Sequence, residues 1–409
     1  MRELDDLTAV YQDLHRHPEL AFHETRTAAV IAEWLARKGF EVTSGVGRTG
    51  VVGVLRNGDG PTALLRADMD ALPVREQTGL PYASTEVATD GHNDGVPVMH
   101  ACGHDMHVTC LLGAAEHLAT ETNTWAGTLL LVFQPAEETG AGAQAMVDDG
   151  LFERFARPDV VLGQHVAPLP AGVIGLRPGL AFAAMDALRV TLHGRGGHGS
   201  RPETSVDPIV MAAATVMRLQ TVVSREIGAN DTAVVTVGAI RSGTAENIIP
   251  DDAEMLISIR TYTETVRARV IEAVTRIIRA EATASGAPRD PDIVLTSSFA
   301  VVVNDEAAAA RTRPALEGLP AVIIDPGPVT GSEDVGVLAQ AAGAPCVYWL
   351  LGGANPAEFD GMTTIADITD RIASLPSNHS PLYAPVIEPT LTVGVNALVA
   401  AARAWLPRS

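Results

Sequence analysis

Between Met99 and His107 the chain packs one thiol and three imidazoles into a single short stretch, Met99-His100-Ala101-Cys102-Gly103-His104-Asp105-Met106-His107. Directly after it, Val108, Leu111, Leu112 and Ala115 recur every three to four residues, a period that predicts a helix. A Cys-x-His pair at a helix start offers a thiolate and an imidazole to one point, and that donor pair suits a borderline-soft divalent metal. The positive end of the helix also favours the thiolate. Two donors do not complete a metal site, so the others must come from elsewhere in the chain.

Three apolar runs supply them. Thr62 to Ala67, Thr128 to Phe133 and Asp159 to Gly163 read as buried strands, followed respectively by Asp68 and Asp70, by Glu137 and Glu138, and by His165. Open α/β sheets place their sites at such strand ends. A further imidazole, His379, lies far along in Ser377-Asn378-His379-Ser380-Pro381. Cys102, His104, Glu138, His165 and His379 are then enough for two metal ions, provided Cys102 bridges them. Each has a plainer reading when taken singly: a cysteine before an apolar helix as a small core residue, His379 as a solvated loop residue, the two glutamates as a solvated pair. The recurrence of ionisable groups at strand ends favours the metal reading.

Adjacent glutamates suggest a division of labour. One carboxylate can hold metal while its neighbour faces a coordinated water, whose pKa a metal lowers to about 7. That second carboxylate can take the proton and return it to a leaving amine. Glu138 is assigned to metal and Glu137 to proton transfer, although the residue types alone permit the reverse.

The elements that must carry these residues form an α/β protein. At 409 residues the chain is expected to make two domains. Helical periodicity covers 4–17 and 25–37, strands cover 50–55 and 62–67, and 74–98 reads as a loop. From 184 the order changes to strand, helix, strand, strand, helix, strand, the order of a ferredoxin-like split βαβ unit. The expected organisation is thus a metal-binding catalytic α/β domain, 1–183 and 297–409, with an inserted ferredoxin-like α+β lid and dimerisation domain at 184–296. The net charge of −20 excludes a nucleic-acid partner, which would need basic clusters. No apolar run is long enough for a membrane span, no secretory signal is seen at the start, and three cysteines fit a reducing compartment. A cytoplasmic protein is expected.

Met99-His100-Ala101-Cys102-Gly103-His104-Asp105, Gln134-Pro135-Ala136-Glu137-Glu138, Gly163-Gln164-His165, Gly196-Gly197-His198, Asn247-Ile248-Ile249-Pro250-Asp251 and Asn378-His379-Ser380-Pro381 together resemble the aminoacylase-like metallopeptidases. The nearest branch is that of the amidohydrolases, which includes hippurate hydrolase and indole-3-acetyl-amino-acid hydrolase. The match starts at Leu14-His15-Arg16-His17-Pro18-Glu19-Leu20 and spans most of the chain. The resemblance implies a hydrolase of N-acyl amino acids with two divalent metal ions per subunit; thiolate and imidazole donors suit manganese or zinc, with cobalt or nickel as alternatives. It implies Cys102 as bridge, His104 and His165 on one metal, Glu138 and His379 on the other, and Glu137 as general acid/base. Asp70 matches an orienting aspartate, and Asp68 stands where more distant relatives carry a metal-binding histidine. His198 matches a histidine that polarises the scissile carbonyl, and Asn247 and Arg260 match positions that assist or hold the substrate carboxylate. A homodimer formed through the lid is also implied.

Two features depart from the pattern. Arg201-Pro202-Glu203 has an acid where many relatives have a second histidine, and the segment from Gly353 to Ser377 is long and carries Asp360, Asp367 and Asp370. The expected reaction is attack of a metal-bound hydroxide on the amide carbonyl of a small N-acyl amino acid. The alternatives are a dipeptidase or carboxypeptidase on the same two-metal site, a metal-dependent binding protein without turnover, and a thiol enzyme using Cys102 with His104.

Overall fold

The computed structural model describes residues 3–89 and 95–408. Part of the loop expected at 74–98 therefore lies outside the described residues. The chain divides into two compact units, one of Met1–Ala181, Val303–Gly327 and Asp334–Ser409, the other of Phe182–Val302 and Pro328–Glu333. The second unit is thus wider than the 184–296 segment read from sequence and takes in a further short stretch.

The first unit is built on an eight-stranded sheet in the order Glu41–Val46, Gly50–Asn57, Gly127–Gln134, Thr62–Asp68, Val160–Pro170, Cys346–Ala354, Val173–Gly175, Val322–Ile324. Thr62–Asp68 runs parallel to both of its neighbours, and Val160–Pro170 runs parallel to Cys346–Ala354. Successive residues of a strand face opposite sides of the sheet. In Gly127–Gln134, Leu129, Leu131 and Phe133 join the main core, while Leu130 and Val132, on the other phase, are also buried. A strand covered on both faces reads as an unbroken apolar run, which is why alternation is lost from the sequence.

Helix His104–Thr120 is buried along most of its length. It lies close to the C-terminal helix Thr390–Trp405: a Cβ at Gly394 would stand 2.5 Å from Cys110 Sγ. Full burial also explains why the helix lacks the polar face of a surface helix. Strand Glu41–Val46 and helix Ile365–Ser374 were not anticipated. The strand is mostly exposed or half-exposed and alternates weakly, and the helix has no buried residue.

In the second unit four antiparallel strands lie in the order Asp292–Phe299, Ala184–His193, Asp252–Thr261, Ala233–Arg241. Helices Pro208–Thr221 and Glu264–Ala284 supply the rest of its core. This is the ferredoxin-like arrangement, with each chain reversal placing the next strand antiparallel to its neighbour.

Candidate active site

The carboxyl ends of the central parallel strands bring the first set of candidate residues together. Thr62–Asp68 ends in Asp68, and Gly127–Gln134 runs into a one-turn helix, Glu137–Thr139. His165 corrects the expectation that its strand stops at Gly163: it lies inside Val160–Pro170. Thr62–Asp68 pairs with that strand only as far as Arg66 opposite Gly163, whereas Cys346–Ala354 continues alongside, with Leu350 opposite His165. The histidine is therefore in regular strand but past the end of one neighbour, where the sheet opens.

Gly103 carries the chain between Cys102 and His104 at φ 83°, the left-handed region open to glycine. A Cβ there would also stand 2.4 Å from Val166 Cγ1. This turn lets a cysteine just outside the helix and a histidine on its first turn serve one cluster.

Cys102 Sγ lies 3.5 Å from His165 Nε2, and His104 Nε2 lies 3.8 Å from both Glu138 Oε1 and Glu137 Oε2. Glu138 Oε2 is 3.3 Å from His379 Nε2. The donor atoms form two overlapping sets, Cys102 with His104 and His165, and Cys102 with Glu138 and His379, each within 4.8 Å. Two donors bound about 2.1 Å from one tetrahedral ion stand about 3.4 Å apart, so these spacings fit shared cations. His104 Nε2 and Glu138 Oε1 are also buried without a hydrogen-bond partner. Such unpaired atoms cost about 1–3 kcal/mol each, and a cation held at each donor set would supply the missing partners.

The remaining polar atoms set the orientation. His104 Nδ1 donates to Asp70 Oδ1 at 3.2 Å, and Asp70 Oδ2 accepts the Glu138 N–H at 3.0 Å. His165 Nδ1 donates to the Val166 carbonyl at 2.8 Å. In both histidines the proton on Nδ1 leaves Nε2 with a lone pair facing the cluster, the usual second layer of a histidine metal ligand. The Asn378 amide donates to the carbonyls of Cys102 and Val166, both at 3.1 Å, and the His379 N–H donates to Ala101 O at 2.8 Å. These bonds tie the distant His379 segment to the cysteine loop.

The three imidazoles of the Met99–His107 stretch have separate fates. His104 faces the cluster. His107 spends both nitrogens elsewhere, Nδ1 on Asp68 and Nε2 on the Val166 N–H at 2.8 Å, so it has no lone pair left for a metal. His100 is buried with neither nitrogen paired, and burial pushes its pKa down to about 4. Neither residue could be separated from His104 by type or spacing. Asp68 also accepts from Arg66, itself fully buried and bonded to Gln134 and Asp334.

Electrostatics make the cluster a sink for positive charge. Burial, then the charges of Glu138, Glu137 and Asp68, push the Cys102 thiol well above its usual range. Burial and these carboxylates act against the thiolate that the helix start favours. Burial opposes charge on His104, but Asp68, Asp70 and Glu138 more than offset it and raise its pKa to about 10. A bound cation inverts this local logic and stabilises thiolate and neutral imidazole together.

His198, Asn247 and Arg260 belong to the second unit. His198 pairs with Ile248 on a two-stranded ribbon, and the Gly199 N–H donates to Asn247 O at 2.8 Å, so the first two are neighbours. His198 Nδ1 accepts from the Ser200 N–H at 3.1 Å. Arg260 stands apart on Asp252–Thr261, its Nη1 donating to Thr330 O at 2.8 Å and to Ser332 Oγ at 3.2 Å. Glu203 pairs with Arg201 at the exposed surface.

The chain resembles known proteins over most of its length. The hippurate hydrolase of Campylobacter jejuni is 39% identical over 353 residues, 85% of this chain and 88% of the relative. Thermostable carboxypeptidase 1 of Saccharolobus solfataricus is 36% identical over 361 residues, 87% of this chain and 88% of that one. Among solved structures, the Bacillus subtilis YXEP protein, a dinuclear metal binding peptidase, superposes with a TM-score of 0.75 at 29% identity, covering 99% of this chain and 98% of its own. The model of Peptidase family M20/M25/M40 matches residues 64–375, and the chain belongs to that family.

Proposed function

We propose that this protein is a metal-dependent amidohydrolase that cleaves N-acyl amino acids of the hippurate type into a carboxylic acid and a free amino acid. The observation that carries the reading is the sharing of Cys102 by two donor sets, with Glu137 beside both. In this reading Cys102, His104 and His165 would hold one divalent cation and Cys102, Glu138 and His379 the other. Such ions, when bound, lower the pKa of a coordinated water and polarise a carbonyl oxygen. Manganese or zinc suits the thiolate, imidazole and carboxylate mixture, as do cobalt and nickel.

Glu137 takes a proton from the attacking water at its carboxylate as the C–O bond forms and the carbonyl oxygen becomes an oxyanion, then delivers it to the amide nitrogen as the carbonyl re-forms and the C–N bond breaks, so the amine leaves neutral. Its burial keeps bulk water from competing for that proton. Asp70 holds His104 by Nδ1 and the Glu138 backbone by its other oxygen, fixing two donors with one carboxylate. His198 accepts at Nδ1, so its proton sits on Nε2, where it can donate to a developing oxyanion. Asn247 and Arg260 hold the substrate carboxylate, the guanidinium being oriented through Nη1.

What supports a homodimer through the second unit is its exposed apolar side chains: Val234 and Ile240 on the edge strand, Ile209, Val210 and Met217 on helix Pro208–Thr221. Sedimentation equilibrium that finds only monomer removes this part. Among the described residues no helix is long and apolar enough to cross a membrane, and all three cysteines are free and buried, which suits a cytoplasmic enzyme.

The test is hydrolysis of N-acetyl, N-benzoyl and indole-acetyl amino acids by metal-reconstituted and chelator-treated enzyme. Turnover that survives chelation ends the proposal. The carboxypeptidase relative favours a second reading in which the acyl side is itself an amino acid. Faster cleavage of an unblocked dipeptide than of hippurate selects it.

A further inference from the structure

Among the described residues four non-glycine residues hold a positive φ: Phe22 at 62°, Arg48 at 86°, Ala136 at 50° and His379 at 72°. Conformations this unfavourable for L-residues persist only where the surroundings hold them, and they gather at functional sites. His379 belongs to the donor cluster. The other three surround one buried carboxylate outside it, Glu24.

Glu24 is fully buried. Its Oε1 accepts two backbone N–H groups, those of Phe22 and Ala136, both at 2.9 Å. Its Oε2 accepts the hydroxyl of Thr49, the neighbour of Arg48, and the Arg48 guanidinium lies 4.2 Å over the Phe22 ring. Three chain reversals, at 20–24, 46–50 and 135–142, are thus joined through one side chain. Ala136 immediately precedes Glu137. Its carbonyl is also held, by the Gly142 N–H at 3.1 Å and the Thr139 hydroxyl at 3.1 Å. Gly142 has no room for a side chain, since a Cβ would stand 1.5 Å from Pro135 O. Both ends of the Ala136 residue are therefore pinned, and its left-handed turn sets the direction in which Glu137 leaves the strand.

We infer that Glu24 is a positioning residue for the proton-transfer step: its carboxylate holds the Ala136 backbone in the strained turn that aims Glu137, without touching substrate or metal. The inference rests on the role proposed for Glu137. Only the acceptor oxygen is required. Burial and the charge of Asp70 push the Glu24 carboxyl up to about 7 against the hydrogen bonds it receives, so a neutral group with the same oxygen is tolerated there.

The test uses full-length, metal-loaded enzyme carrying Glu24→Ala, Glu24→Asp or Glu24→Gln. Displacing a reacting group by about 1 Å costs about a hundredfold in rate. The alanine variant should lose about a hundredfold in kcat with KM within about threefold, wild-type metal content, and faster amide hydrogen exchange in 135–142 but not in 104–120. The aspartate variant, one methylene short, should show the same pattern in milder form and serves if the alanine variant does not fold. The glutamine variant should recover most of the rate. Unchanged exchange in 135–142, a kcat within about twofold of wild type in the alanine or aspartate variant, or loss of metal in proportion to loss of rate overturns the inference, as does a glutamine variant as slow as alanine. If wild-type enzyme hydrolyses none of the N-acyl amino acids, the functional reading fails on its own, and exchange in 135–142 still decides whether Glu24 holds the turn.

Discussion

The cluster around Cys102 and the ribbon carrying His198 treat their polar side chains in opposite ways. Around Cys102, His104, Glu137, Asp68 and Asp70 are almost wholly buried, and each orienting atom has a named partner. His198 and Asn247 are exposed, held mainly by backbone pairing and by the Ser200 contact. A buried polar group is paid for by desolvation and is rigid before any ligand arrives, and of the five donors His379 alone is exposed. An exposed one costs the fold little and keeps its freedom to adapt. The first arrangement suits metal ions and proton transfer, which tolerate small errors in position badly, and the second suits the recognition of varied substrates.

The comparison can be broken most directly at its shared atom. Cys102→Ala should release metal from both donor sets and abolish turnover, and elemental analysis showing an unchanged metal content would remove the bridge. Glu137→Gln should keep both metals and lose about 10²–10⁴-fold in kcat, as expected for a general acid/base, which separates chemistry from metal binding within the buried cluster. His198→Ala should be milder, about 10²-fold in kcat with metal content unchanged, in the range of one lost oxyanion donor. If it released metal instead, the division between the two regions would be wrong.

The smallest effect concerns the support behind the buried cluster. His15 lies between Asp105 and Glu76, with Nδ1 2.6 Å from the first and Nε2 3.0 Å from the second. Burial opposes its charge, but the two carboxylates more than offset this and raise its pKa to about 9. A raised folded-state pKa contributes stability that is complete below the unfolded value near 6.5 and is lost as pH rises through about 9. The Tm gap between wild type and His15→Gln should therefore be widest near pH 6 and close toward pH 9. A gap that does not vary with pH would show that His15 acts by packing alone.

Much of the donor set was legible because its chemistry is local. Cys102 and His104 share one turn, and Glu137 and Glu138 are adjacent, so residue type and spacing carry the signal. Asp68, His107 and His100 show where this stops: all three are buried within or beside the stretch, yet only hydrogen-bond partners reveal that His107 has both nitrogens occupied and that His100 has neither. His165 shows a related limit. Its strand continues to Pro170, and the opening in the sheet comes from where the neighbouring strand stops, which no property of residues 159–165 records. Helix Ile365–Ser374 was local enough to read, with Ile365, Ile368 and Ile372 at helical spacing behind a Thr364 cap on the Asp367 N–H, yet none of its residues is buried.

Sequence by itself determined the α/β class, the inserted split βαβ order and the identities of the chemically competent residues, because periodicity, turn residues and ligand types are written within a few positions of one another. Only the tertiary structure decided which nitrogen of His104 and of His165 faces the cluster, that burial and three carboxylates push the Cys102 thiol upward, and that Glu24 reaches the backbone before Glu137. Those outcomes depend on burial and on partners as much as 112 positions apart, and desolvation has no local code.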